Sequence, residues 1–167
     1  MAEELELDPA RSIAVGAVGP PGKRAFYIQV KDLYRTVTLL VEKVQVEALS
    51  RRALELLEGE EVGPEEAPVE LEEPAAPDWR AGELGLGLHD ESRRVVLVAR
   101  EAPEDDDVAE EDLASLRAWL TPAQLRAMAM RGLELVQAGR PLCPVCGLPM
   151  DPEGHFCPRK NGKSPHF

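Results

Sequence analysis

The chain has 167 residues, 44% of them hydrophobic and only 4% aromatic, which suits one ordinary domain with a small appendage and a core built mostly of Leu, Val and Ala. No run approaches the roughly 20 apolar residues of a membrane helix, and MAEELELDPA has neither the basic region nor the apolar stretch of a signal peptide, so a cytoplasmic protein is expected. The net charge of −12 is uneven: residues 58–79 and 101–112 hold 17 of the 31 acidic residues and no basic one, which leaves the remainder mildly basic.

SIAVGAV (12–18) and RAFYIQV (24–30) are rich in β-formers and flank a Gly-Pro-Pro-Gly turn. RTVTLLV (35–41) reads as a third strand. Residues 42–57 then read as a helix, with Val41, Val44, Ala48, Leu49, Ala53, Leu56 and Leu57 on one stripe. The acidic, Pro-rich stretch 58–79 reads as a solvated linker. GELGLGLHD (82–90) and RRVVLVARE (93–101) are the next two strands, turning at Asp90-Glu91-Ser92, and LASLRAWL (113–120) is a third. The second helix has Thr121 as N-cap, Pro122 in its first position, Gln124 completing a capping box, and Gly139 as its stop. Leu125, Met128, Ala129, Leu133 and Val136 form its apolar face.

The two halves repeat one order of elements. EKVQVEALSRRALELL (42–57) aligns without gaps on TPAQLRAMAMRGLELV (121–136), matching Gln45 with Gln124 and Arg52 with Arg131, and residues 23–28 fall on 93–98. Short connections favour antiparallel pairing. The expected fold is therefore α+β: an antiparallel sheet with two helices from a duplicated βββα unit. The expected domain spans 1–139, with repeats 1–57 and 80–139 on either side of the linker, followed by a zinc-ribbon-like tail over 140–167.

That tail holds all three cysteines. Cys143-Pro-Val-Cys146 is a knuckle whose Pro144 and Gly147 permit a tight turn, and His155 stands two residues before Cys157. Thiolate and imidazole are ligands Zn²⁺ prefers, and four close a tetrahedral structural site that would stabilise a tail too poor in apolar residues to fold alone. Cys143, Cys146, His155 and Cys157 are the candidate ligands. His166 is the rival to His155 for the fourth place, in a polar terminal stretch. A redox pair should follow a strand and open a helix, whereas this knuckle follows a helix end. A catalytic zinc needs an open position, which four ligands close.

Other motifs are weaker. GAVGPPGKR lacks the phosphate-loop spacing and its following helix, so it reads as a turn. Lys23 and Arg24, with Arg93 and Arg94 at the equivalent turn, are candidate anion-binding residues. His89, the one His outside the tail, reads as a surface residue, and no nucleophile–base arrangement can be assembled, so no catalytic residue is assigned.

GAVGPPGKRAFYIQV, VEKVQVEALSRRALELL, LTPAQLRAMAMRGLELVQAGRP and above all CPVCGLPMDPEGHFCPRKNG resemble the domain-of-unknown-function 3090 family of bacterial, mainly actinobacterial, proteins. The resemblance supports Cys143, Cys146, His155 and Cys157 as the ligand set and implies no established activity. Family members are often encoded beside a histidine-phosphatase-like protein and a protein resembling phosphatidylinositol kinases, which implies a shared pathway with phosphoryl chemistry. The reading that follows is a non-enzymatic binding or adaptor protein with one structural Zn²⁺. A phospho-ligand binder or enzyme using the basic turns is the alternative. Nucleic-acid binding through Arg140, Arg159, Lys160 and Lys163 of the tail is another.

Overall fold

A computed structural model describes residues 3–20, 22–72 and 76–138. Its strands are β1 (Glu4–Leu7), β2 (Ser12–Val18), β3 (Ala25–Lys31), β4 (Thr36–Val41), β5 (Trp79–Leu88), β6 (Val95–Glu101) and β7 (Ser115–Leu120), and its helices are α1 (Lys43–Leu56) and α2 (Pro122–Ala138). Six strands and both helices fall where the alternation and capping signals place them. The tail, with Gly139, all three cysteines, His155 and His166, lies outside the described residues.

The sheet is mixed, not antiparallel as expected. Its order is β1-β7-β6-β5-β4-β3-β2. Within each half the short turns give antiparallel pairs, β2 with β3 with β4 and β5 with β6 with β7. Between the halves, α1 and the segment after it carry the chain back along β4, so β5 begins beside Leu39 in the same direction. The N-terminal strand β1, which the sequence reading missed, lies parallel to β7 in the same way. Only residues 8–11 separate β1 from β2, at opposite ends of the strand order. There the Ala10 N–H donates to Trp119 O of β7 at 2.9 Å and the Arg11 N–H to Lys31 O of β3 at 2.7 Å. A four-residue connection thus links the two edge strands, and each half begins against the last strand of the other.

The registers fix which residues are equivalent. Ile28 pairs with Val15 and Leu39, and Leu97 with Leu86 and Ala118. Phe26, Ile28 and Val30 point inward on β3, and Val95, Leu97 and Ala99 on β6. Phe26 therefore corresponds to Val95, and Gln29 to Val98. The alignment of 23–28 on 93–98 is one residue out of phase, because side chains alternate faces along a strand. Ile28 and Leu97 are both fully buried, a burial that stabilises by about 1.5–3 kcal/mol for such side chains.

The helices pack on each other, α1 against β5 and α2 against β2. On α1 the buried residues are Val46, Leu49, Ser50 and Ala53, while Val44 is exposed, so the inward stripe is turned from the expected one. The crossing is close because Gly132 has no side chain: a Cβ there would collide with Ser50 Oγ and lie 3.3 Å from Val46 Cγ1. Arg52 and Arg131 sit at the helix surfaces and pair with Glu55 and Glu134 one turn on.

Candidate functional site

The matched glutamines have one job in both halves. Gln124 Oε1 accepts from the Thr121 N–H at 2.9 Å, and the Gln124 N–H donates to Thr121 Oγ1 at 3.1 Å, closing the capping box. Its amide Nε2 reaches Arg11 O at 3.0 Å. Gln45 Oε1 likewise accepts from the Glu42 N–H at 2.8 Å, and its Nε2 donates to Ala81 O at 3.0 Å and Gly82 O at 3.2 Å. Each glutamine ties the start of its helix to the first strand segment of the other half. Capping accounts for only part of this, and the cross-half bonds were not legible from the sequence.

The four basic residues proposed for anions lie in two turns, β2–β3 and β5–β6, whose hairpins are separated by β4 in the strand order. Lys23 is exposed and Arg24 half-buried in the β2–β3 turn, where Gly19 and Gly22 take positive φ and the Lys23 N–H donates to Pro20 O. In the β5–β6 turn, Arg93 takes a φ of 58° and pairs with Glu60, and Arg94 pairs with Asp8. No ion pair or hydrogen bond among the described residues joins the two turns.

Arg94 belongs instead to a corner built from both chain halves. Its guanidinium lies 4.7 Å from the ring centre of Trp119, and the His89 ring meets Trp119 edge-on. His89 is exposed, as the sequence suggested, with Nδ1 2.9 Å from Ser92 Oγ. Trp119 is half-buried near the end of β7, between the inward Ala118 and Leu120, and lines a hollow. Pro9, Ala10, Arg11, Thr121 and Gln124 complete that hollow of about 520 Å³. Asp8 balances Arg94, whereas Arg11 brings a second, exposed cation.

A second concavity, of about 640 Å³, lies on the outer face of β1, β7, β6 and β5. Two cross-strand rows line it: Gly85, Val98, Arg117 and Glu6, then Glu83, Arg100, Ser115 and Glu4. Val98 remains 39% exposed there. The equivalent face of the first half is covered. Val69 bridges to Ala14, and Leu71 lies where a Gly16 Cβ would be. The Gln29 carboxamide accepts from the Glu72 N–H at 3.0 Å, and Lys31 pairs with the Glu72 carboxylate. Part of the acidic stretch is therefore a strap on the sheet rather than a solvated linker. Trp79, placed in the linker by the sequence reading, is buried and opens β5.

The family model described as "Protein of unknown function (DUF3090)" matches residues 5–157. The chain belongs to that family. The matched span ends at Cys157, so it contains Cys143, Cys146 and His155 and leaves out His166. No curated protein and no solved structure matches the chain. No described helix is long and apolar enough to cross a membrane. Among the described residues no three His, Cys, Asp or Glu side chains group as metal ligands. The candidate zinc ligands, and the tail cations Arg140, Arg159, Lys160 and Lys163, lie outside those residues.

Proposed function

We propose that this protein is a non-enzymatic binding or adaptor module whose described domain presents a recognition corner and whose tail is held by one structural Zn²⁺. The observation that carries the reading is the Trp119 corner. An aromatic ring, a stacked Arg and a second Arg with no ion pair among the described residues, around a hollow, are the residue types that anchor protein interfaces. Trp119 lies in β7, and Arg11 and Arg94 each stand one residue before a strand, so little backbone order is lost on binding. In the tail, Cys143, Cys146, His155 and Cys157 would bind Zn²⁺ as thiolates and imidazole, and the metal would supply folding energy rather than chemistry. The partners first in line are the phosphatase-like and kinase-like proteins encoded beside members of the family. The test is capture of each purified neighbour by the full chain. Binding that falls at least tenfold in Arg11→Glu and is unchanged in Lys23→Glu is the expected result; no binding to either neighbour contradicts the reading.

A second reading has one observation in its favour: Arg11 and Arg94 line the same hollow beside the start of α2, where a phosphorylated ligand would find two guanidinium groups. A rise in melting temperature with phosphate or pyrophosphate, abolished in Arg11→Glu, would favour it over the adaptor reading. An unchanged melting temperature would dismiss it.

A further inference from the structure

Each helix packs on a strand of the other half, α2 on β2 and α1 on β5. The two helix–strand grooves are built from equivalent residues. Gln124 and Ala127 of α2 line one with Ser12 and Ile13 of β2. Gln45 and Ala48 of α1 line the other with Leu84 and Gly85 of β5. The sheet registers set Ile13, Ala14 and Val15 at the places of Leu84, Gly85 and Leu86.

Extended chain fills the first groove. Glu66, Ala67 and Val69 of the strap line it and leave only about 30 Å³ free. Val69 bridges Ala14 in the parallel sense, so the strap adds to the edge of β2, and Ile13, Ala14 and Val15 are all buried. Among the described residues nothing fills the second groove. It keeps about 260 Å³, Leu84 and Leu86 are half-buried, and Gly85 is exposed. β4 pairs with β5 only at Trp79 and Arg80. The Gln45 amide takes the carbonyls of Ala81 and Gly82. Beyond them, the edge of β5 away from β6 has no strand partner among the described residues. Such an edge is a template for another chain. Gly82 needs its missing side chain to clear Ala102, but a Cβ on Gly85 would meet nothing within 4 Å. A glycine in a strand that internal packing does not require suits the close approach of a second backbone.

We propose that the groove between α1 and β5 takes an extended segment of a protein partner, which pairs parallel to β5 at Gly85 as the strap pairs with β2 at Ala14. Backbone hydrogen bonds to the β5 edge hold the segment, and alternate side chains choose it. Those side chains are aliphatic, because Leu84, Leu86, Leu49 and Ala48 line the groove. One carboxylate between them meets Arg52, the one charged lining residue, which is exposed and reaches only Glu55, at 3.7 Å. The strap has this pattern in Val69-Glu70-Leu71. The groove shares no residue with the Trp119 hollow, so it is a site separate from the recognition corner.

The probe is a peptide with the strap sequence Ala-Pro-Val-Glu-Leu (67–71) and blocked termini, titrated into the isotope-labelled full chain and followed by amide NMR. Saturable shifts across residues 82–88 and 45–52, with a nuclear Overhauser contact between the peptide Val and Gly85, are the expected result. Ala48→Glu, at an exposed helix position, should weaken binding roughly tenfold by bulk and like charge without lowering the melting temperature. The same peptide N-methylated at Val, Glu and Leu should not bind, whereas Arg11→Glu, in the Trp119 corner, should leave binding unchanged. No saturable shift at β5, or shifts confined to β2, overturns the proposal. Equal binding of the N-methylated peptide excludes strand pairing and overturns it too. Slow amide exchange along 84–88 on the edge away from β6, in the chain without peptide, would give the groove to this chain or a second copy and overturn it equally.

Discussion

The two halves of this sheet share a frame and differ in their outer surfaces. Gln45 and Gln124 do the same work at the same place, and Ile28 and Leu97 fill the same position in the core. Gln29 and Val98, also equivalent, do not: one is 4% exposed beneath the strap and bonded to its backbone, and the other is 39% exposed on an open concavity. Equivalent interiors fill the core beneath both halves of the sheet. The outer faces are then released to differ, and the Trp119 corner has no aromatic twin because Leu40 stands at its equivalent position in β4.

The interior tests equivalence most severely. Ile28→Ala and Leu97→Ala should each destabilise by about 2–5 kcal/mol, read by chemical denaturation. One tolerated and the other severe would mean the halves are not packed alike. Next come the glutamines. Gln45→Ala and Gln124→Ala each remove a cap acceptor and a donor to the other half, and each should cost about 1–3 kcal/mol, with similar falls in melting temperature. A cost confined to one would break the comparison at the helix starts.

The helix crossing offers a smaller, signed effect. Gly132→Ala gains helix propensity but meets Ser50 Oγ, so it should lower stability by about 1 kcal/mol in the natural chain. Ser50 Oγ has no hydrogen-bond partner, so Ser50→Ala should be close to neutral, and Gly132→Ala should become stabilising in that background. A double-mutant cycle without coupling would contradict the contact.

The smallest effect is that of pH on the strap. The Lys31 ammonium donates to Glu72 and holds its carboxyl below the ordinary glutamate range. A depressed carboxyl stabilises the folded state above its unfolded value and loses that contribution as pH falls through its folded value. Amide exchange at Glu72, normalised for intrinsic rate, should therefore quicken in acid before that of β3 does. Lys31→Met should remove the difference.

Much of the frame was legible in the sequence, because strands with Val, Ile and Thr alternation and a helix opened by Thr121, Pro122 and Gln124 announce themselves locally. The parallel junctions were not. They depend on where α1 and the segment after it return the chain and on β1 meeting β7 from the far end of the sequence, which no short window records. β1 was missed because Glu4–Leu7 offers only two apolar positions, Leu5 and Leu7, within an acidic start. The strap was misread because its composition is that of a solvated linker, while its attachment uses backbone groups and two apolar side chains. Lys23, Arg24, Arg93 and Arg94 do lie at two turns, though matched one residue out of phase, but sequence equivalence says nothing of distance, and Asp8 and Glu60 meet two of them. The Trp119 corner had no sequence signal, since Arg11, Arg94 and Trp119 come from three separated segments.

Amide hydrogen exchange of the full chain, alone and with a purified neighbouring phosphatase-like or kinase-like protein, puts the binding reading to its most direct test. Slower exchange at residues 10–11, 94 and 121–124, with the face of β2 and β3 unchanged, is the predicted result. No protection on mixing, or protection confined to surfaces away from Trp119, would contradict a recognition corner in this domain.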